Sequence, residues 1–426
     1  MKTPQWLLCS LVGLWGATSL MGCSHGRAIR RLTSEDMPNR TVLNSWVELG
    51  PDSSMTVRSV VKESSCPALI VNANPIPMRP RPNLDADAFP VTVCEAVLPQ
   101  SSATLEIQGK LLPSVPVDPQ KILILGDTGC RIKGEAGHLK IQACKDEAAW
   151  PLATISASAA AWKPELVIHV GDYHYREAEC PSGDARCEGS IAGDRWASWQ
   201  QDFFDPVSPL LSASPWIFVR GNHENCSRGG NGWFQLLDPR SAPQACLEQT
   251  PPYQVSLGEL KLSVIDSADE KNIQPSLETL KSSWRAQSWL LLHRPFLTPG
   301  ADDESDVESH LPQELRGAGL LGMVLVGHQH LFSLNRFADF RPPEIVTGNG
   351  ATLLEKPAGV GMSLTDLERP GVSAKIYGDF GFMTLQKRPD HRWIMQEHDR
   401  FGKVVLECQV DSSFGQKTKI TCADAS

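Results

Sequence analysis

Asp127, Asp172, Tyr175, Asn222, His293, His328 and His330 all stand at or just beyond the end of an apolar run. One such residue says little, because a carboxylate after a strand is often a helix cap and a buried histidine is often only hydrogen-bonded. Several of them, after successive runs of one region, exceed what caps require. Carboxylate and amide oxygens combined with imidazoles suit two metal ions. Two ions about 3.5–4 Å apart need a bridging group, and a carboxylate such as Asp172 can supply it. Tyrosine joins such a set only under special conditions. Its pKa of about 10 makes it a poor ligand in water. The phenols of "VGDYHY" (170–175) therefore either pack an edge or are ionised by strong positive charge nearby.

The runs that must position these groups are "KILILGD", "ELVIHVGD", "WIFVRGN", "LKLSVIDS", "SWLLLHRP", "GMVLVGH" and "PEIVTGN". Continuous apolar runs bounded by turn residues predict strands buried on both faces. Helical segments at 151–162, opened by Pro151, and at 275–287 separate some of them. The pattern predicts an α/β domain over 118–426, layered α/β/α, a β-sandwich flanked by helices. Ligands in such domains collect at the carboxyl ends of strands. Residues 41–117 carry short runs such as "SWVELG", "MTVRSVV" and "FPVTVCEAVLP". They predict a small all-β domain ahead of the larger one, joined to it by "PSVPVDPQ".

The chain has 426 residues, 41% of them hydrophobic, and a formal net charge of -9. That composition supports a substantial core and argues against a nucleic-acid-binding surface, which needs a basic face. At the N-terminus, Lys2 precedes the apolar "WLLCSLVGLWGATSL", too short for a comfortable membrane span. It runs into "LMGC", similar to a bacterial lipoprotein signal. This predicts a signal peptide over 1–22, lipid on Cys23 and a polar tether over 23–40. Ten further cysteines follow Cys23 and fall in neighbouring pairs: Cys66 with Cys94, Cys130 with Cys144, Cys180 with Cys187, Cys226 with Cys246, and Cys408 with Cys422. Many connectivities are possible; neighbour pairing in an oxidising compartment is the expectation. The protein is expected outside the cytoplasm, on the periplasmic or surface side of a membrane.

"GDTG" (126–129), "GDYHY" (171–175), "GNHE" (221–224), His293 in "LLLHRP" and "GHQH" (327–330) resemble, in order, the five blocks of calcineurin-like metallophosphoesterases. Within them the chain looks like the purple acid phosphatase branch. Most of the superfamily has a metal-binding histidine two residues after the first aspartate, where this chain has Gly129. Tyr175 stands where purple acid phosphatases place an iron-bound tyrosine, so the loss and the gain explain each other. Tyr173 is left to packing.

The resemblance implies Asp127, Tyr175 and His330 around a first metal, Fe(III). It implies Asn222, His293 and His328 around a second, Fe(II), Zn or Mn, with Asp172 bridging. It implies His223 as the catalytic residue that contacts phosphate and protonates the leaving oxygen. Arg228, in the loop "NCSRGGNGW", is a candidate anion contact. His174 is expected to be exposed or to touch substrate, and His310 is a doubtful further histidine. The implied reaction is hydrolysis of phosphate monoesters by a metal-bound hydroxide, on a small phosphate-ester substrate. A phosphodiesterase or nucleotidase of the same fold, and a non-catalytic tethered binding protein, are the alternatives.

Overall fold

The computed structural model describes residues 41–423 apart from 100–102, 136–137, 296, 298–318, 356–360 and 413–415. The leader, Cys23, the tether and His310 lie outside these.

Two mixed sheets face each other. The first runs, neighbour by neighbour, Lys419–Cys422, Val404–Asp411, Trp393–Asp399, Gly381–Lys387, Lys121–Leu125, Leu166–His169, Trp216–Phe218, Val42–Leu49, Met55–Val61, Thr92–Leu98 and Arg79–Pro80. The second runs Tyr253–Leu257, Leu260–Val264, Ser288–Leu291, Leu321–Val326, Glu344–Thr347, Phe332–Phe337, Val372–Tyr377 and Leu364–Arg369.

Strand alternation explains why the site-bearing runs are apolar on both faces. Ile122, Ile124, Leu166, Ile168 and Ile217 point between the sheets, where they meet Leu262, Trp289, Leu291, Met323, Leu325 and Ile345. Their neighbours Leu123, Leu125, Val167, Trp216 and Phe218 point outward onto the helix Leu152–Ala161 and a cluster of aromatics that includes Trp199 and Phe203. On the other side, Leu290, Leu292, Val324, Val326 and Val346 pack against the helix Ile273–Leu280. Each buried side chain of this size contributes roughly 1.5–3 kcal/mol. With large side chains on both faces, a strand is held in register by packing as well as by its ladder. That register fixes where each strand stops and the polar residues begin.

One expectation changes in detail. Helix 275–287 is instead Ile273–Leu280, and "SSWR" after it, poor in strong helix formers, runs on as turns and irregular chain. The described residues of 41–117 are mostly β, as expected, with one 3-10 turn at Pro51–Ser53. Val42–Leu49 lies parallel to Trp216–Phe218, with Glu48 opposite Trp216, and continues the first sheet. Its Val47 and Leu49 enter the core between the sheets, while Trp46 joins the outer aromatic cluster. Ala68–Val71, Asn74–Pro77, Leu105–Ile107 and Lys110–Leu112 form a separate four-stranded sheet.

Disulfides join Cys66 to Cys94, Cys130 to Cys144, Cys180 to Cys187, Cys226 to Cys246 and Cys408 to Cys422. Five disulfides fit an exported protein. No helix among the described residues is long and apolar enough to cross a membrane.

Candidate metal centre

The turns that leave the strands are tightly wound. Asp127, Asp172 and His328 have φ of 57°, 62° and 71°. Such left-handed conformations cost a non-glycine residue about 1–3 kcal/mol and persist only when surrounding bonds impose them. Here the Asp127 N–H donates to Gly171 O (2.9 Å) and the Thr128 N–H to Asp172 O (3.0 Å), locking the first two turns together. Gly171 is required between them: a Cβ there would lie 2.6 Å from Nδ1 of His293.

The Tyr175 phenol oxygen sits at the middle of one cluster. It is 3.0 Å from Oδ1 of Asp127, 2.9 Å from Oδ2 of Asp172 and 3.0 Å from Nε2 of His330. All four residues are buried. Space for this ring comes from Gly129, where any Cβ would meet Tyr173 O at 2.5 Å and Tyr175 N at 2.9 Å.

A second cluster centres on Asn222. Its Oδ1 is 3.0 Å from Nε2 of His293 and 2.7 Å from Nδ1 of His328. Donor atoms of Asp172, His293 and His328 lie within 4.8 Å of one another. Asp172 connects the clusters: its Oδ2 is 2.9 Å from the Tyr175 phenol and 3.1 Å from Nε2 of His293. The structure thus brings together every residue that the sequence proposed as a metal ligand.

The donor set fits two cations. Nδ1 of His293 is 2.8 Å from Val170 O, and Nδ1 of His330 is 2.9 Å from Leu353 O. Each ring then gives its Nδ1 proton to a carbonyl and aims an Nε2 lone pair inward, the arrangement that orients metal-binding imidazoles. Burial and the Arg131 charge push His330 down to about 3, and burial, His293 and Arg294 lower His328 as well. Both rings are therefore neutral and able to bind metal. Burial, reinforced by Asp172, pushes Asp127 well up. Burial and the two carboxylates push Tyr175 up in the same way. Burial also raises Asp172, but His293 and His223 outweigh it and hold that carboxyl well down. Buried acceptors crowd here with too few protons to share, and positive charge would relieve them.

Around the centre, His223 donates its backbone N–H to Oδ1 of Asp172 (2.9 Å). Its ring centroid lies 3.8 Å from that of Tyr175, with Nε2 3.9 Å from Oδ2 of Asp172. Nδ1 meets Oε1 of Glu177 at 2.5 Å. Burial outweighs Asp172 and Glu177 and lowers His223. Glu177 escaped the sequence reading, although it lies only two residues beyond Tyr175. Arg228, 26% exposed, stands at the rim with Nε 3.7 Å from Glu177.

Glu224 also escaped, despite closing the "GNHE" block. Its carboxylate accepts the N–H groups of Asp172 (3.0 Å), Tyr173 (2.8 Å), His174 (3.2 Å) and Gly221 (3.1 Å), and so shapes two ligand turns.

His174 corrects the sequence reading. Wrapping of the backbone around Glu224 turns its ring away from the centre. It is 1% exposed, with Nε2 3.1 Å from both Gly193 O and the Ser198 hydroxyl, and it stacks on Trp199. Tyr173 is also buried, donating to Val219 O (2.9 Å) among Phe203, Phe218 and Trp233.

The model of the calcineurin-like phosphoesterases matches residues 120–332, half of the chain, and the chain belongs to that family. It is a metallophosphoesterase, and the family implies a dinuclear metal centre. No curated protein matches it. Among solved structures, the purple acid phosphatase PPD1 from yellow lupin (Lupinus luteus) seeds is similar over 90% of this chain and 75% of its own, at 14% identity and a TM-score of 0.56. A structure of PhoD is similar over 90% of this chain and 92% of its own, at 12% identity and a TM-score of 0.52. At these identities the likeness is one of fold.

Proposed function

We propose that this protein is an exported phosphatase of the purple acid phosphatase type, hydrolysing phosphate monoesters at an iron-containing dinuclear centre. The observation that carries this reading is the Tyr175 phenol oxygen within 3.0 Å of Asp127, Asp172 and His330. Phenolate is a hard donor that a trivalent ion can hold ionised. Asp127, Tyr175 and His330 would hold Fe(III), and Asn222, His293 and His328 would hold Fe(II), Zn or Mn, with Asp172 shared. Ions bound there supply positive charge to the phosphoryl group and a water activated for in-line attack.

The chain's own groups do the rest. Asp172 fixes the spacing of the two halves. As an imidazolium, with Nδ1–H on Glu177, His223 would give its Nε2 proton to the departing alkoxide and be left neutral; the Asp172 and Glu177 charges favour that protonated form against the burial that opposes it. Arg228 meets the phosphate from the rim. Burial of the donor atoms keeps bulk water off the reacting groups. Lipid on Cys23 would tether the enzyme to a membrane, and Cys23→Ser should then release it.

The test is metal analysis of the purified full chain, with rates on monoesters, diesters and nucleotides. Iron in stoichiometric amount with fastest turnover on monoesters is the expected result. Full activity with divalent metal alone would overturn the iron assignment, and a preference for diesters would overturn the monoester one.

A further inference from the structure

His169 closes the strand Leu166–His169, three residues ahead of Asp172, and has no role in the chemistry above. Side chains alternate along a strand. With Val167 it therefore faces outward, toward the aromatic cluster, while Ile168 enters the core between the sheets. The ring is wholly buried, stacked on Tyr173 with centroids 4.0 Å apart and edge-on to Phe203 at 5.7 Å. An apolar side chain would fill that space. An imidazole there costs free energy unless its nitrogens are hydrogen-bonded.

Both nitrogens are bonded, each to a different ligand-bearing turn. Nδ1 accepts the Gly171 N–H (3.2 Å). The ring proton therefore sits on Nε2, which donates it to the Thr128 hydroxyl (3.0 Å). Burial, reinforced by His293, pushes His169 well down, in keeping with a neutral ring.

Thr128 follows Asp127, and Gly171 precedes Asp172. The imidazole closes a circuit between them: from Thr128 through the ring to Gly171 N, and from Gly171 O back to the Asp127 N–H. Backbone bonds tie the two turns edge to edge, and the ring adds a further tie through side chains. Gly171, with φ of 104°, is left-handed like Asp127 and Asp172, and such turns persist only when bonds around them impose the conformation. His169 is itself a fixed reference. Its carbonyl accepts the Val219 N–H (2.9 Å), and its backbone lies between Leu125 and Phe218 in two parallel ladders.

We propose that His169 is a positioning residue for the metal centre: by tying Thr128 to Gly171 it fixes the spacing of the Asp127 and Asp172 carboxylates. This deepens the dinuclear reading above and rests on it.

The test titrates Zn(II) into the metal-stripped protein by competition calorimetry and follows kcat and KM for a phosphate monoester after reloading. Groups that orient metal ligands are typically worth about 10–100-fold in metal affinity. His169→Phe keeps a flat ring against Tyr173 but has no nitrogens. We expect it to weaken Zn(II) binding by about 10–100-fold and to lower kcat with KM nearly unchanged. His169→Gln, whose amide can still donate toward Thr128, should recover part of the loss. Thr128→Val removes the hydroxyl and should weaken Zn(II) binding too, with no further loss when combined with His169→Phe. A role in packing alone would lower Tm and leave Zn(II) affinity and kcat as in the parent. That outcome in folded His169→Phe would overturn the proposal. Should His169→Phe fail to fold, parent-like Zn(II) affinity in Thr128→Val would overturn it equally. A parent protein that takes up fewer than two metal ions would instead overturn the dinuclear reading.

Discussion

Gly129 and Tyr175 exclude one another's alternatives: a Cβ at 129 would lie 2.9 Å from Tyr175 N and 3.0 Å from its Cδ2. A side chain at 129 and a phenol reaching Asp127 cannot both be accommodated without moving the Tyr175 backbone.

The first prediction follows from that exclusion. Oxidised protein should show a visible tyrosinate-to-Fe(III) band. Tyr175→Phe should lose it with the far-UV circular dichroism unchanged, and Gly129→Ala should shift or weaken it. A band that survives Tyr175→Phe unaltered would assign the colour to something else.

The Asp172 carboxylate touches Tyr175 of one cluster and His293 of the other, so Asp172→Ala should deplete both metals. Asn222→Ala should deplete mainly one. His223→Ala should keep metal content while slowing turnover by about 10²–10⁴-fold, the usual worth of a proton-transfer group. Metal analysis paired with kcat separates the three. Two metals and full activity in Asp172→Ala would end the dinuclear assignment.

Glu177 acts through His223, 2.5 Å away. Glu177→Gln should therefore retain metal and slow turnover by less than His223→Ala. In the double variant the two losses should not add, with a coupling of about 0.5–3 kcal/mol as for residues in contact. Additive losses in a double-mutant cycle would show that Glu177 works independently.

Glu397 should make stability depend on pH. Its Oε1 accepts from Asn349 Nδ2 (2.8 Å), while its Oε2 and Asn349 Oδ1 have no hydrogen-bond partner among the described residues. Burial pushes the carboxyl from 4.5 up to about 8, the Asn349 bond opposing only in part. The folded protein thus holds a proton that the unfolded chain releases near 4.5. The resulting stabilisation is complete below that pH and disappears as pH rises through about 8. Denaturant unfolding across this range should show a steeper decline in the parent than in Glu397→Gln; identical slopes would mean that Glu397 is ionised in the folded state.

The strands and their terminal ligands were legible because burial on both faces writes a continuous apolar run, and the residue after it is where the chain leaves the sheet. Gly129 and Tyr175 were legible as a pair because one donor replaces another. Glu177 and Glu224 were not. Their roles depend on which groups the folded turns bring alongside, and a glutamate near a motif reads like any surface charge. His174 was misjudged for a related reason. Its place in the motif gave no direction to its ring, which the Glu224 bonds then set. Pairing of Val42–Leu49 with Trp216–Phe218 was hidden because partners so distant in sequence leave no local signal.

The Lys121–Leu125 strand, which delivers Asp127, lies between Leu166–His169 and Gly381–Lys387, with Ile124 opposite Met383. Its neighbour on one side therefore comes from a far later part of the chain. Until Gly381–Lys387 arrives, the strand that begins the centre is an open edge, able to pair with any passing strand. Contacts this distant also form slowly. Maturation thus waits on a distant segment: a chain cut short of Gly381 loses the flank of its centre, and stable metal capture should follow the pairing of these two strands.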